Sequence, residues 1–304
     1  MSKELILTIA VPTYNRKEQI RKQIAMILPQ LSEEVCLVVR DNNSSYNIED
    51  LFDSTEKAKF QILHNPMNIG ADANIARCVE TCTTKWLWVL GDDDFVSEEA
   101  VRKVLEMIKL YDSYVWINLN TKFDEEFVGF QQFVENLNTI SSFGDSFWIS
   151  KCIYNMEKLR SEMNVYYANL SSMIPQLIFL LSYLIKNPSE KIVRLKMNVF
   201  TYNDPNISWN MRDYVLNTGL IFSSFPSNQK RFIVNNILKT LTSIHLSCIN
   251  LKMDDSRYIF RLVVARYGFY NLIRSFPLLF IKSWVRSCSP LYIYKIYKFM
   301  RRIL

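Results

Sequence analysis

Short apolar runs alternate with segments of helical spacing over the first 118 residues. The apolar runs predict five β-strands, at Leu5–Val11, Val35–Val39, Phe60–Leu63, Trp86–Leu90 and Tyr114–Asn118. Segments with apolar residues three and four apart predict helices between them, at Gln19–Leu31, Gly70–Thr83 and Glu98–Leu110. Strands separated by helices indicate a parallel, doubly wound sheet. The strands are apolar along their whole length, as a sheet covered on both faces requires.

The pattern becomes less regular beyond Asn120. Phe147–Tyr154 is predicted as a strand, Ala168–Ile185 as a buried helix, and Lys191–Tyr202 as one or two strands. From Gly219 onward the spacing is mostly helical. The expected architecture is therefore an α/β sheet followed by a mostly helical C-terminal region.

Charge is distributed very unevenly along this chain of 304 residues. The chain is 49% hydrophobic and 22% charged, which excludes a disordered or fibrous protein. Residues 1–160 carry a net charge of −7 and residues 161–304 a net charge of +13. After Asp255 there are ten Lys and Arg residues and no acidic residue. The C-terminal part is therefore expected to meet anions.

We expect a cytoplasmic protein with reduced cysteines. The N-terminal apolar stretch is short, has no small-residue cleavage site after it, and fits a strand better than a signal peptide. The apolar run Met173–Ile185 is too short to span a bilayer. Six irregularly spaced cysteines do not suggest a disulfide framework, and the pair Cys78 and Cys82 lacks the neighbours of a zinc site.

Four polar clusters are predicted to follow strands, at the sheet edge where open α/β sheets bind ligands. Any one of them could be ordinary turn chemistry, but their succession favours a shared site. They are Pro12–Arg16, Arg40–Ser45, Asn65–Asn74 and Gly91–Asp94.

Three adjacent aspartates, Asp92, Asp93 and Asp94, form the sharpest of these clusters. Neighbouring carboxylates repel one another, and a divalent cation such as Mg²⁺ or Mn²⁺ relieves that repulsion. Alternation along an extended segment predicts that Asp92 and Asp94 point one way and Asp93 the other. The alternative, a helix N-cap, explains one aspartate but not three, because Ser97 is already a better cap.

The order of these clusters resembles that of the family 2 glycosyltransferases with the GT-A fold. The segment Trp86–Asp94 is especially similar to the abequosyltransferase-like branch of bacterial O-antigen and capsule synthesis. The specific part of the resemblance covers about residues 6–110. Looser similarity continues at Ser146–Asn155 and at Asn206–Trp209. The resemblance implies a mostly parallel sheet flanked by helices, with a nucleotide-sugar-binding half at 1–115, an acceptor-binding half at 116–218 and a helical basic region at 219–304.

The resemblance also implies roles for single residues. Thr13 and Tyr14 would line the nucleobase pocket together with Pro12 and Arg16, and Asp41 would recognise the edge of the base. The loop near the ribose and phosphates would be shaped by Asn68, Gly70 and Asn74. The aspartates Asp92, Asp93 and Asp94 correspond to the D-x-D element that holds the ribose and a Mn²⁺ or Mg²⁺ ion. The family's more usual form has an aspartate where this chain has Gly91, so Asp93 and Asp94 are both candidates for the main metal ligand.

The catalytic base is the main departure from the family pattern. Inverting members use a carboxylate of a Glu-Asp-type pair, and no such pair occurs between Asp145 and Asp254. Asp145, expected at the start of a strand, is the first candidate and Asp204 the second. His64 and His245 are expected to be structural.

Residues 257–304 mix basic and aromatic side chains. We expect them to contact an anionic membrane surface, rather than to form a helical region with a basic solvent face or a nucleic-acid site. The function expected is inverting, metal-dependent transfer from a nucleotide-diphosphate sugar to a saccharide acceptor carried on a polyprenyl diphosphate lipid, at the inner face of the cell membrane. The alternatives are a nucleotidyltransferase or sugar-nucleotide synthase, and a membrane-peripheral scaffold without activity.

Overall fold

The computed structural model describes residues 4–120, 122, 124–203, 211–249 and 256–288. The chain divides into two compact units, and the first unit takes the residues up to Phe133 and those from Gly144 to Asn206. The second unit takes Val134–Phe143 and the residues after Asn206.

An eight-stranded sheet forms the centre of the first unit, with strand order β3-β2-β1-β4-β8-β6-β9-β7. Strands β1, β2, β3 and β4 are parallel neighbours, and β6 is parallel to β9. Strand β8 pairs antiparallel with β4 and β6, and β7 pairs antiparallel with β9. A separate pair joins β5 to β10. The strands are β1 (Leu7–Thr13), β2 (Val35–Asp41), β3 (Gln61–His64), β4 (Trp86–Val89), β5 (Asp94–Val96), β6 (Trp116–Asn120), β7 (Glu125–Val128), β8 (Cys152–Asn155), β9 (Lys191–Lys196) and β10 (Phe200–Asn203).

Helices flank this sheet and make up most of the second unit. Those up to α9 precede or connect strands, and those from α10 onward follow the last strand. They are α1 (Lys17–Ile27), α2 (Ser54–Lys57), α3 (Ala71–Glu80), α4 (Ala100–Leu110), α5 (Gly129–Glu135), α6 (Ile140–Phe147), α7 (Met156–Leu159), α8 (Met163–Ala168), α9 (Pro175–Lys186), α10 (Met211–Asn217), α11 (Ser227–Cys248), α12 (Ser256–Tyr267), α13 (Phe269–Ser275) and α14 (Pro277–Cys288).

The core of the first unit follows directly from the apolar pattern. Leu7, Ile9 and Val11 of β1 are fully buried, and Trp86 and Trp88 of β4 are at most 1% exposed. On α1 the buried apolar residues are spaced three and four apart, at Ile20, Ile24 and Ile27. Burying a large apolar side chain contributes about 1.5–3 kcal/mol, so this layer dominates the stability of the sheet.

The predicted fold class is confirmed, and two predicted elements are wrong. The segment 147–154 is not one strand, because α6 runs to Phe147, a 3₁₀ turn occupies Ile149–Lys151, and β8 begins at Cys152. The segment 168–185 is not one helix, because Met173 adopts a left-handed conformation with φ 61° and α9 starts afresh at Pro175. Both errors arose in apolar segments, in which helix and strand periodicities are hard to tell apart.

Within the part of the chain that the structure describes, no helix is both long enough and apolar enough to cross a membrane. The segment around Met173–Ile185 forms α9, which is 12 residues long and whose described side chains are mostly buried in the first unit.

His245 lies fully buried on α11 in the second unit. The Thr218 hydroxyl donates to the Tyr214 carbonyl at 2.7 Å and lies 2.8 Å from His245 Nε2. Since that hydroxyl proton is already used, Nε2 carries the ring proton and donates to Thr218. Nδ1 then accepts from the Tyr267 hydroxyl at 2.9 Å. Burial, together with the smaller effect of the Arg266 charge, lowers the pKa of His245 to about 3. The histidine is therefore neutral and structural, as the sequence predicted.

This buried histidine should make the protein less stable in mild acid. The pKa is about 6.5 in the unfolded chain and about 3 in the folded one. The unfolded chain therefore binds the proton more readily, and the free energy of unfolding should fall as pH drops below 6.5, by about 1 kcal/mol per pH unit. We expect His245→Gln to lower stability at pH 7 but to flatten this dependence between pH 5 and 6.5 in urea unfolding. The control, His64→Gln, should keep the fall or steepen it, because the pKa of His64 is raised in the folded protein and its protonation opposes the fall. An unchanged slope in His245→Gln would contradict the assignment.

Candidate functional site

The ends of β1, β2 and β4 meet at one edge of the sheet. Thr13 of β1 is in register with Asp41 of β2, and the amide of Leu90 donates to the carbonyl of Ala10 at 2.9 Å. The segments that follow these strands surround a cavity of about 320 Å³. Its lining includes nine of the residues predicted to bind the donor: Pro12, Thr13, Tyr14, Arg16, Asn68, Gly70, Asn74, Asp92 and Asp93.

Arg16 binds two of the three adjacent aspartates. Its Nη1 lies 2.9 Å from Asp92 Oδ1, and its Nη2 lies 2.7 Å from Asp93 Oδ2. The Thr13 hydroxyl donates to Asp92 Oδ2 at 2.7 Å. Burial raises the pKa of Asp92 to about 6, against the lowering effects of Arg16 and Thr13. A buried carboxylate is thus held against the cavity by one cation and one hydroxyl.

Asp94 turns away from this pair. Its Oδ2 accepts hydrogen bonds from the Ser150 hydroxyl at 2.5 Å and from the Trp148 indole N–H at 3.0 Å. Burial raises the pKa of Asp94, although both hydrogen bonds lower it. The predicted alternation is therefore wrong, since Asp92 and Asp93 share Arg16 whereas Asp94 is bound by Ser150 and Trp148. The reason is local, because Asp92 and Asp93 lie in a turn and the strand begins only at Asp94.

Gln23 of α1 holds the backbone of this turn through hydrogen bonds. It is fully buried on α1, and its amide nitrogen donates to the carbonyls of Gly91 at 3.1 Å and Asp94 at 2.9 Å. The Gly91 amide donates to Ser150 Oγ at 2.9 Å. A Cβ at Gly91 would lie 2.9 Å from Asp94 Oδ2 and 3.1 Å from Asp93 Oδ1. The turn therefore has no room for a side chain at this position while the carboxylates keep their places.

The fit of a divalent cation depends on the oxygens that face the cavity. Among the described residues, no group of three or more His, Cys, Asp and Glu side chains is arranged as a metal site. Asp92 and Asp93 nevertheless line the cavity, and no described residue donates a hydrogen bond to Asp93 Oδ1. Hard carboxylate oxygens suit Mg²⁺ or Mn²⁺, so the donor chemistry fits, and the role of the three aspartates as ligands stays a prediction.

Asparagine side chains hold the loop between β3 and α3. Asn42 donates to Asn68 Oδ1 at 2.8 Å and accepts from the Ile69 amide and from Asn65 at 3.0 Å each. Asn65 also donates to Asn74 Oδ1 at 2.7 Å. At the end of the loop Gly70 has a φ of 87°, a conformation that glycine adopts readily. The predicted residues Asn68, Gly70 and Asn74 are thus linked through Asn42 and Asn65.

Asp41 lies next to the cavity, although it does not line it. It is 3% exposed, and it accepts hydrogen bonds from the Ser44 hydroxyl at 2.6 Å and the Ser44 amide at 3.1 Å. His64 Nδ1 lies 3.2 Å from Asp41 and Nε2 lies 2.7 Å from Glu49. Burial lowers the pKa of His64, but the two carboxylates outweigh it and raise the pKa overall. The contact of Asp41 with the edge of a nucleobase stays a prediction.

Asn15 shapes the segment that presents Tyr14. Asn15 has a φ of 54°, and its side-chain oxygen accepts from the Ser45 amide at 2.8 Å while its own amide donates to Ser44 Oγ at 2.9 Å. The ring of Tyr14 is left 40% exposed at the cavity. An exposed ring on a fixed backbone is suited to stacking against a planar ligand.

Of the two candidates for the catalytic base, the structure describes Asp145 but not Asp204. Asp145 lies inside α6 rather than at the start of a strand, so its predicted setting is wrong. Its Oδ1 is 2.7 Å from Lys151 Nζ, and that ammonium group lies 4.4 Å from the ring centre of Trp148. Asp204, like the segment Asn206–Trp209, lies outside the described residues.

Sequence reasoning missed the residues that support the site. Gln23 did carry a signal, because it is a polar residue on the otherwise apolar face of α1. Asn42 and Asn65 stood within the quoted clusters, but their pairing across the two loops has no signature in either segment alone. Trp148 and Ser150 stood within the loosely similar segment Ser146–Asn155, but their contact with Asp94 has no signature because it joins residues more than fifty positions apart.

A family model described as Glycosyl transferase family 2 matches residues 8–162. The chain belongs to this family. The matched region contains the cavity and the four polar clusters, so the predicted family is confirmed.

Two curated relatives match a shorter stretch. Abequosyltransferase RfbV of Salmonella typhimurium is 28% identical over 104 residues, which are 32% of this chain and 31% of that protein. An uncharacterized glycosyltransferase of Haemophilus influenzae is 27% identical over 104 residues, 34% of this chain and 35% of that protein. The match thus spans about a third of each relative.

Solved structures show the same fold across most of the chain. TarS 1-349 of S. aureus in complex with UDP-GlcNAc has a TM-score of 0.59 at 12% identity and covers 91% of both chains. Mannosyltransferase PcManGT from Pyrobaculum calidifontis in complex with GDP-Man and Mn²⁺ has a TM-score of 0.56 at 10% identity, covering 95% of this chain and 88% of that one. The likeness concerns the fold, and the predicted GT-A architecture is confirmed.

The asparagine network of this family 2 domain gives a direct test of the loop. Asn42→Ala should leave the Ile69 amide without its acceptor and the Asn65 side-chain amide with Asn74 alone, at a cost of about 1–3 kcal/mol in the free energy of unfolding. Urea unfolding measures that loss. Asn47→Ala is the control, because Asn47 is exposed and bonds only Asp50 among the described side chains. Equal stability of the two variants would contradict the structural role of Asn42.

Proposed function

We propose that this protein is an inverting, metal-dependent glycosyltransferase that uses a nucleotide-diphosphate sugar. The observation that carries the proposal is the cavity in which Arg16 holds Asp92 and Asp93 beside Thr13 and Tyr14. Two structures of the same fold were solved with nucleotide sugars, UDP-GlcNAc and GDP-Man. Family membership supports the same class of donor here.

The donor is proposed to enter with its base against Tyr14. Tyr14 is exposed at the cavity, on a backbone segment that the hydrogen bonds of Asn15 hold in place. Asp41 lies at the end of the neighbouring strand, where it would contact the edge of the base. The loop held by Asn42 would carry Asn68 and Gly70 to the ribose and phosphates. A rigid loop reduces the entropy lost when the donor is ordered.

Asp93 is the aspartate we assign as the main metal ligand. It lines the cavity with one carboxylate oxygen that no described residue binds, whereas Asp94 does not line the cavity and is held by Ser150 and Trp148. Asp92 would support it or hold the ribose. A bound Mn²⁺ or Mg²⁺ would neutralise charge on the departing nucleoside diphosphate. Arg16 already carries positive charge to the same place, and its guanidinium is suited to bind a phosphate oxygen.

Asp145 is our proposed base, with Asp204 as the second candidate. A base must come within hydrogen-bond distance of the acceptor hydroxyl, and it takes the proton as that oxygen attacks the anomeric carbon from the side opposite the nucleotide. The carboxylate of Asp145 is 20% exposed, and Lys151 links it to Trp148, which donates to Asp94. Through these contacts the Asp145 carboxylate is connected to Trp148, which binds Asp94, and it does not line the donor cavity.

Membrane association through the second unit is proposed from α14. Phe280, Ser283 and Ser287 pack inward, each 3% exposed or less. The apolar side chains of Leu278, Ile281 and Trp284 are 84%, 52% and 50% exposed. They follow one another three residues apart, which forms one stripe along the helix.

The charge next to this stripe favours an anionic lipid surface as its partner. Lys282 and Arg286 follow the stripe along the same helix, and residues 256–288 contain six basic and no acidic residues. A helix with exposed apolar side chains and flanking cations binds at the headgroup level of anionic bilayers. Such a position would bring the enzyme to a saccharide acceptor carried on a polyprenyl diphosphate lipid at the inner face of the cell membrane.

The assignment of Asp93 predicts different behaviour for two neighbouring aspartates. Asp93→Asn should lower Mn²⁺-dependent turnover of sugar nucleotides about 100-fold or more, because it removes charge from the proposed metal ligand. Asp94→Asn keeps the hydrogen-bonding shape, so it should lower turnover much less and should leave Mn²⁺ affinity within a few-fold of wild type. Transfer to a lipid-linked acceptor, followed by mass spectrometry with titrated Mn²⁺, measures both effects. Wild-type turnover in Asp93→Asn would refute the assignment, and wild-type protein without any transfer would favour the scaffold alternative.

The exposed stripe predicts binding to vesicles. Replacing Leu278 and Trp284 together by serine should reduce co-sedimentation with phosphatidylglycerol vesicles about tenfold or more, because it removes most of the apolar area offered to the bilayer. Leu110→Ser is the matched control, because Leu110 is 68% exposed in the first unit. The proposed membrane contact fails if the double variant sediments as well as Leu110→Ser does.

A further inference from the structure

A second cavity lies against the loop between β3 and α3. Its volume is about 520 Å³, and its lining shares no residue with the donor cavity. The loop residues Asn65, Pro66, Met67 and Ile69 form one wall. The remaining lining residues are Arg40, His64, Arg77, Glu80 and Thr81.

Arg40 is the unusual residue in this lining. It is 7% exposed, and its Nε is buried without a hydrogen-bond partner. Among the described residues no carboxylate lies within 4 Å of its guanidinium, and no side-chain hydrogen bond from it is formed. Its backbone is well fixed, because Asn74 donates to the Arg40 carbonyl at 3.2 Å. Arg40 therefore lines the cavity without a carboxylate partner, and its guanidinium can bind an anion that enters there.

The other charged side chains of this cavity are bound to partners other than Arg40. Glu80 accepts from Arg77 at 2.7 Å and from the Tyr167 hydroxyl at 2.9 Å, so its carboxylate is already bound on one oxygen by two donors. His64 lies between Asp41 and Glu49, and its pKa is raised by those carboxylates. The cavity thus has two arginines and a histidine facing one lining carboxylate. Since His64 lies against Asp41 and Glu49 and Arg77 pairs with Glu80, Arg40 is the lining cation that has no carboxylate within 4 Å among the described residues.

We propose that this cavity binds a small phosphomonoester, with the phosphate on the Arg40 guanidinium. A guanidinium presents paired N–H donors that match phosphate oxygens, and such charge-assisted bonds are the strong ones. The cavity is much larger than a phosphate group. Pro66, Met67 and Ile69 supply apolar surface for the organic part of the ligand. The site is separate from the donor cavity and does not depend on glycosyl transfer.

The test uses full-length protein with glucose 1-phosphate and inorganic phosphate as probes, at ionic strength matched with chloride. Calorimetric titration of wild type should show saturable binding of glucose 1-phosphate, at least about tenfold tighter than inorganic phosphate because the organic part adds contacts. Arg40→Met should weaken this binding at least about tenfold, the loss expected for charge-assisted hydrogen bonds. Equal affinity for the two probes, or no binding of either by wild type, would overturn the proposal.

Two further variants locate the bound phosphate. Arg16→Gln removes the cation of the donor cavity and should keep wild-type affinity for glucose 1-phosphate, whereas Arg40→Lys retains a charge without the paired donors and should bind more weakly than wild type. Binding lost in Arg16→Gln and kept in Arg40→Met would place the phosphate in the donor cavity and refute the site.

Stability without ligand gives an independent readout. If Arg40 awaits an anion, Arg40→Met should unfold at the same temperature as wild type or higher, because it breaks no ion pair among the described residues and keeps an apolar side chain in place of the arginine stem. A clearly lower unfolding temperature would show that Arg40 already stabilises the protein and would overturn the proposal. Arg102→Met is the control for a surface arginine, since Arg102 is exposed and pairs with Glu106 on the same helix.

Discussion

The arrangement of the site depends on how one arginine neutralises two adjacent carboxylates. Arg16 reaches Asp92 and Asp93 because β1 and β4 are parallel neighbours, so the segments following them emerge side by side. Without that cation, a nearly buried aspartate next to a second carboxylate would take up a proton. Arg16 therefore favours the charged form of Asp92 at the cavity in which the proposed donor would bind.

Periodicity and strand-end chemistry were enough to predict the first half of the sheet. Parallel strands buried on both faces have a strong apolar signal, and their carboxyl ends share one edge, so Thr13, Asp41 and Asp92 could be placed together from the sequence. The boundaries of β2 and β4 are close to those predicted. Family resemblance supplied the roles of these residues, which spacing alone does not determine.

The rest depended on contacts that a linear pattern does not contain. The direction of Asp94 is set by Trp148 and Ser150, which come from a later segment folded against the turn. The absence of a carboxylate partner for Arg40 could not be predicted either, because an arginine at the end of a strand has the same pattern as any polar residue before a turn. The errors at 147–154 and 168–185 had the opposite cause, because uniformly apolar segments carry too little periodicity to separate short helices from strands.

Gly91 has a consequence for how this aspartate motif can vary among related chains. A side chain at position 91 would occupy space that the carboxylates of Asp93 and Asp94 now take. Asp94 is further held by two hydrogen bonds, so it cannot move aside without losing them. An aspartate at position 91 therefore requires a compensating change at 94, 148 or 150. In an alignment of relatives, these positions should covary as one set, with glycine at 91 accompanying the serine and tryptophan that bind Asp94.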